Sequence, residues 1–548
     1  MSAADLKAQG NALFEAKNFA EAEKKYTKAI EASDEVADCR GLAVLYANRA
    51  ACRLSLKRYM DADADAKKAT HLDPTYAKAY ARLATAKDWL GNYPESTENW
   101  KRALDALPKT NLKPAEEVQK AQYEAGLKVA TAALTNAKNR VIGEGAPDKG
   151  PFIIRDAKGR MPWDLAAAII PRLKIQRPTP SSPELYSSAW VIHGAYKDFM
   201  SGVSLMSHVY ILDPISGKRA GMLGAVAELT NGIMRDSRVM HFPDGDFITK
   251  YNNQVAFEGK AYEAWTEGGP EVVIQAALEK QRKEGWKPTR QALSLTVRAW
   301  IMRGKMDSGL RQNHHVAVEF YKNCLHVIRT LREHWILESK EDRGVIFEKT
   351  FLFGVQQLYI DAIMQTYSTS DGAPELLEDL LKESDLLIRE IDEALHQPRS
   401  QDPVDPGFLS SFYMYPKGQA YAMRGFYFNK MAMKSTTESV AFPLFRKAAL
   451  EYLTAAKSYP EDDELHPYFL NVALGNMLNS CSFSTRETLD VMKRIRIAVP
   501  KAKEIWEHSA LGATGVWKTF DNVAKQEQEL RDMVAEGKYP LDTCLKMQ

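Results

Sequence analysis

The 548-residue chain is expected to fold as an all-α protein, and three observations carry that expectation. A spacing of small and aromatic residues typical of paired helices recurs about every 34 residues over roughly Ala3–Pro108. Pro74 and Pro108 fall where the second helix of a pair should stop. From about Glu271 to the end, apolar residues again recur at helical intervals.

The first element is set by the small residues Ala22, Ala62 and Ser96. An aromatic precedes each by three positions (Phe19, Tyr59, Tyr93). Tyr26, Ala66 and Trp100 follow by four, Ala29, Ala69 and Ala103 by seven, and Gly10, Ala50 and Ala84 precede by twelve. Small residues at a crossing let two helices approach closely while aromatics fill the space beside it. The second and third anchors are 34 residues apart and the first and second 40 apart, so six residues are inserted at about Ala37–Leu42. One pair cannot bury its own apolar face, so three pairs should stack and end in a capping helix at about Pro114–Asn139.

Composition bounds the rest. Lys and Arg number 73 and Asp and Glu 71, a net charge of +2, which argues against a dedicated nucleic-acid or membrane-surface protein. An apolar fraction of 45% and a charged fraction of 26% are those of a chain able to bury a large core. The five cysteines form no CxxC pair, which fits a reducing compartment. The N-terminus lacks a basic-then-apolar signal pattern and no run of about 18 apolar residues occurs, so a cytoplasmic or nuclear location is expected.

On the first helices of the three pairs, Lys7, Asn11, Asn48, Lys78 and Arg82 fall within one sector of about 100°, at about 100° per residue. Three cations and two amides without interleaved acids repel one another unless an anion is expected. A point charge, a planar fork and neutral donors together suit carboxylates. The period and spacing resemble the tetratricopeptide repeat. The polar set, Lys7-AQG-Asn11, Asn48 and Lys78-AYA-Arg82, resembles the carboxylate-clamp class of that family. That resemblance implies a superhelix whose groove captures the C-terminal Glu-Glu-Val-Asp tails of the 70 and 90 kDa heat-shock chaperones. It further implies that Lys7, Asn11 and Asn48 hold the terminal carboxylate, that Lys78 and Arg82 hold the last Asp side chain and backbone carbonyls, and that Ala51 helps form a small apolar pocket for the Val. The insertion is the departure from the pattern, because it can shift the first repeat against the second.

The expected organisation is a repeat domain over 1–140, a Gly/Pro-rich linker over 141–185, a middle region over 186–270 of uncertain fold, and a helical C-terminal domain over 271–548. In the middle, Leu223–Met234 has helical spacing, whereas HVYILDPISGKRA reads equally as strand–turn–strand or as a helix end and loop. In the C-terminal part, Ala448 has Phe445, Tyr452, Ala455 and Pro460 at repeat spacing, and Gly425 fits the small first-helix position if about eleven residues are inserted around Met433–Phe442. Ala317, Tyr321 and Cys324 match in part. Degenerate repeats and a generic α-solenoid account for this region equally well.

No catalytic motif is found: the phosphate-loop spacing, the nucleophile elbow and the kinase set are all missing. His314, His315 and Glu319 resemble half a metal site without a second ligand pair, so His315 is expected to pack and His314 to be solvated. No cofactor, metal, nucleic acid or membrane is expected, and the leading reading is a non-enzymatic adaptor or co-chaperone whose C-terminal half binds a client or partner protein. An enzyme tethered by its repeats, or a scaffold with non-chaperone partners, are the other readings.

Overall fold

A computed structural model describes residues 2–33, 38–142, 156–175, 187–213, 218–370, 372–397 and 406–544. Contacts divide the chain into two compact units, one of Met1–Ala146 with Tyr262–Asp342 and one of Pro147–Ala261 with Arg343–Gln548. The sequence-based boundary at 270/271 had placed 271–342 with the C-terminal helices instead.

The first unit opens with three helix hairpins and a long final helix: α1 (Ala3–Glu15), α2 (Phe19–Glu31), α3 (Cys39–Ser55), α4 (Tyr59–Leu72), α5 (Ala77–Trp89), α6 (Tyr93–Asp105) and α7 (Pro114–Ile142). Ser2 starts α1 with a capping box, its hydroxyl accepting from the Asp5 N–H at 3.1 Å while the Asp5 carboxylate accepts from the Ser2 N–H at 3.1 Å. Each hairpin turns through one left-handed residue, Lys17 (φ +59°), Lys57 (φ +59°) and Gly91 (φ +66°), at the repeat period. The strain at the two lysines, about 1–2 kcal/mol each, is offset by a helix-closing bond from the next N–H: Asn18 to the Leu13 carbonyl at 2.9 Å and Arg58 to the Arg53 carbonyl at 2.8 Å. The crossings are as tight as the small residues imply, since a Cβ on Gly10 would stand 2.7 Å from the Tyr26 ring and one on Gly126 2.6 Å from Trp100. Ala22, Ala50, Ala62, Ala66 and Ala84 are fully buried.

Residues 34–37 of the insertion lie outside the described residues. The remainder is helix: Asp38 accepts from the Gly41 N–H at 2.8 Å and caps α3, which has 17 residues against 13 in α1 and in α5. The extra length is an added N-terminal turn.

Three more helices, Pro270–Glu284, Trp286–Gly309 and His314–His334, complete this unit. The last two form a hairpin of the same design, turning at Gln312 (φ +54°), with Gly304 packed against Tyr321. Charged side chains join these helices to the repeats, the Arg58–Glu271 pair being half-exposed. Arg53 pairs with Glu23 (2.8 Å) and Asp65 (2.9 Å), and Arg58 with Glu23, Asp61 (both 2.9 Å) and Glu271 (3.3 Å). The buried Glu319 carboxylate accepts from the Tyr59 N–H at 3.1 Å, and burial raises its pKa.

In the second unit, helices Ser188–Met206 and Ala225–Arg235 cross where a Cβ on Gly232 would meet the Ala195 carbonyl at 2.7 Å. Between them HVYILDPISGKRA forms a short antiparallel hairpin, β1 (Tyr210–Asp213) and β2 (Lys218–Ala220), with Tyr210 opposite Ala220; residues 214–217 lie outside the described residues. The linker stretches 143–155 and 176–186 also lie outside them, but 156–175 contains a helix, Pro162–Ile175. Helix Phe247–Ala261 and the consecutive helices Lys349–Thr369, Pro374–Leu395, Tyr415–Lys434, Glu438–Lys457, Leu465–Ser480, Thr485–Trp506 and Val516–Ala535 build the rest. A Cβ on Gly425 would stand 2.9 Å from the Tyr452 ring, the repeat crossing read from the sequence. The eleven inserted residues lengthen both helices of that hairpin to 20 residues instead of forming a loop. Among the described residues no helix is long and apolar enough to cross a membrane.

Candidate functional site

The groove side chains sit on the first helix of each hairpin: Lys7 and Asn11 on α1, Asn48 and Ala51 on α3, Lys78 and Arg82 on α5. They stand on one face because the opposite face of each helix is consumed by the small-residue crossing. Hydrogen bonds join three of them across three helices. The Arg82 Nη1 donates to the Asn48 Oδ1 at 3.3 Å, and the Asn48 Nδ2 donates to the Asn11 Oδ1, also at 3.3 Å. Lys7 is half-buried and Lys78 exposed, and neither hydrogen-bonds among the described residues; Ala51 is half-buried.

Tyr26 completes the chain, its hydroxyl donating to the same Asn11 Oδ1 at 2.8 Å. The ring is 1% exposed and burial pushes the phenol up to about 12, so it remains a proton donor near neutral pH. With its oxygen accepting twice, Asn11 keeps its Nδ2 protons for another partner. Sequence reasoning treated Tyr26 only as a filler of the helix crossing. The available signal was its hydroxyl: a buried Tyr needs a polar partner that Phe would not.

No carboxylate pairs with Lys7, Lys78 or Arg82 among the described residues. Burial lowers the Arg82 pKa from its usual value, with the uncharged hydroxyls of Tyr76, Tyr123 and Tyr26 and the Cys52 thiol about it. A guanidinium is still charged near neutral pH after such a shift. The concavity therefore presents uncompensated positive charge and at least one free amide donor, which suits a carboxylate-bearing ligand.

The histidine pair is not assembled into a ligand set. His314 Nδ1 lies 2.9 Å from the Ser308 hydroxyl, while His315 is the more exposed of the two, its ring edge against Trp89 at 5.8 Å; this reverses the expected roles. The reason is the N-terminal position of both on their helix, where the Trp89 ring covers only one side. Glu319 points away to Tyr59 and Asn323. Among the described residues no group of three or more His, Cys, Asp or Glu is placed to hold a metal ion.

Hairpins at a 34-residue period, small-on-aromatic crossings, a left-handed turn in each and a long final helix define the N-terminal part as a tetratricopeptide-repeat domain. The sequence is 39% identical over 124 residues to Heat shock protein STI1 of Saccharomyces cerevisiae, covering 22% of this chain and 20% of that protein. It is 38% identical over 136 residues to Small glutamine-rich tetratricopeptide repeat-containing protein 2 of the same yeast (25% and 36%) and 37% identical over 157 residues to the Hsp70-Hsp90 organizing protein of Triticum aestivum (29% and 23%). The chain thus spans about a fifth to a third of the length of these relatives. Similar solved structures include the Sgt2 tetratricopeptide domain from Aspergillus fumigatus (24% identity, 28% of this chain, 89% of that one, TM-score 0.22). Another is the first such domain of Spaghetti (RPAP3) bound to the HSP90 peptide SRMEEVD (28% identity, 23% and 94%, TM-score 0.19). No family model matches the sequence.

Proposed function

We propose that the protein is a non-enzymatic adaptor of the co-chaperone class, which docks through its groove on the acidic C-terminal Glu-Glu-Val-Asp tail of 70 or 90 kDa heat-shock chaperones. The observation that carries this reading is the acid-free set of Lys7, Lys78 and Arg82 around the hydrogen-bonded Asn11 and Asn48. In it, Lys7 and the amides of Asn11 and Asn48 take the peptide's terminal carboxylate. Lys78 and Arg82 take the last Asp side chain and nearby carbonyls, and Ala51 borders the space for the Val. The C-terminal half binds a client or partner protein, and the protein works in the cytoplasm or nucleus.

Binding of this kind is charge-assisted and partly exposed, so affinity for a peptide ending Met-Glu-Glu-Val-Asp should fall as salt rises from 50 to 500 mM, on the order of several-fold. Affinity unchanged across that range would contradict the clamp. The titration needs the full chain, because a fragment ending at 140 would strip Glu271 from Arg58 and Glu319 from the Tyr59 N–H.

A further inference from the structure

The second unit contains a cavity of about 480 Å³, within the range of small-molecule sites. The body of its wall is apolar. The rings of Phe426, Tyr452 and Phe469 stand there with the flexible side chains of Met234, Met364 and Met423. These six residues come from five helices, so the space belongs to the packed unit and not to one hairpin.

The polar groups that reach the same wall sort by charge, and the charged ones are engaged within the fold. Arg238 pairs with Asp236 (2.7 Å), Asp463 (2.8 Å) and Glu464 (3.2 Å), its guanidinium 3.7 Å above the Trp506 ring. The Ser509 hydroxyl donates to Glu464, and burial pushes that carboxyl up to about 7, so it is partly protonated near neutral pH. Arg235 faces Asp198 at 3.6 Å, and Asp361 has a partner of its own. The side chains left with hydrogen-bonding capacity are neutral. The Gln357 and Gln419 amides and the Tyr452 and Tyr468 hydroxyls line the cavity and form no hydrogen bond among the described residues.

We propose that this cavity binds an uncharged small molecule with an aromatic body and one polar end, an amide or a hydroxyl. The rings and thioethers pack the body. The two glutamine amides, each both donor and acceptor, and the two tyrosine hydroxyls meet the polar end. A charged guest would give up its hydration and find no free counter-charge, because Arg238 and its carboxylates already hold one another. A purely apolar guest would cover the amides and leave them unbonded. The proposal does not rest on the clamp reading, since the groove belongs to the other unit.

Calorimetric titration of the full chain with indole-3-ethanol and indole-3-acetamide tests it, beside their charged counterparts tryptamine and indole-3-acetate. At least one uncharged indole should bind and raise the melting temperature, and both charged ones should bind about ten-fold more weakly or not at all. Gln357→Leu and Gln419→Leu keep the approximate volume and lose no hydrogen bond within the fold, so each should weaken binding several-fold without lowering the melting temperature of the free protein. Val472→Trp places a large ring into the cavity from its half-buried wall position and should abolish binding. If that variant fails to fold, the two glutamine variants carry the test alone. Absence of binding by both uncharged indoles at millimolar concentration, equal or tighter binding of a charged counterpart, or unchanged binding in both glutamine variants or in a folded Val472→Trp variant would overturn the proposal.

Discussion

The groove of the first unit and the Arg238 cluster of the second use one scaffold to different electrostatic ends, the one leaving its cations without acids and the other surrounding its cation with them. In each, a helix hairpin is closed by glycine against tyrosine, Gly10 on Tyr26 and Gly425 on Tyr452. The groove then gathers cations without acids, whereas in the second unit one guanidinium, Arg238, is held by three carboxylates, Asp236, Asp463 and Glu464. The crossing consumes only one face of each helix, so the remaining faces are free to carry either sign. The tyrosines differ in the same sense. Tyr26 spends its hydroxyl on Asn11, whereas Tyr452 makes no hydrogen bond among the described residues.

The largest effect is expected from Arg82→Ala. It removes a charged donor and frees the Asn48 oxygen, so tail-peptide affinity should fall roughly 10- to 100-fold. The melting temperature should hold within a degree or two, because no ion pair is lost. Affinity unchanged by calorimetry would make the groove charge irrelevant to binding.

Glu464 gives the next effect, in the second unit alone. Its pKa is near 7 in the fold against 4.5 as the unperturbed value, so between those values the native state binds more protons than the unfolded chain. Stability should therefore fall as pH rises through that window, by on the order of a few kcal/mol at most at 1.36 kcal/mol per unit. Glu464→Gln should flatten the decline in a denaturation series from pH 5 to pH 8. An equally steep decline in the variant would assign it to other groups.

Gly10→Val and Gly425→Val test the shared crossing. Each forces a branched side chain into a ring less than 3 Å away and should cost about 1–3 kcal/mol, with a matching loss of melting temperature. Gly10→Val should also weaken peptide binding, since it displaces Tyr26 from Asn11; Gly425→Val should not. Peptide affinity lost equally in both would mean that the hairpins are not independent in function.

The smallest effect sharpens the clamp. Tyr26→Phe keeps the packing and deletes one hydrogen bond, about 0.5–1.5 kcal/mol, so carboxylate-ended peptide should bind about two- to ten-fold more weakly. Affinity unchanged in the variant would make Tyr26 a packing residue only.

The repeats were legible because their signal is local: Ala22, Ala62 and Ser96 with their aromatics lie on single hairpins, at fixed offsets. Ala317 with Tyr321, and Gly425 with Ala448, were legible for the same reason, in weaker form. What escaped was long-range. Arg53, Arg58, Asp61 and Asp65 carry no spacing that sets them apart in the sequence, and only the folded chain brings Glu271 to Arg58 and Glu319 to the Tyr59 N–H across more than 200 positions. The Arg238 cluster draws on residues 236, 238, 463 and 464, which share no spacing that a sequence can display. Of the groove set, the residue types and register were readable. The bonds from Arg82 through Asn48 to Asn11, and the part of Tyr26 in them, were not, because they depend on rotamers set by neighbouring helices.

The most direct test of the central claim is calorimetric titration of the full chain with an acetylated peptide ending Met-Glu-Glu-Val-Asp, paired with the same peptide amidated at its C-terminus. The account expects binding to the free acid that is lost on amidation, because Lys7, Asn11 and Asn48 meet the terminal carboxylate. Equal binding of the two peptides, or binding of neither, would contradict it.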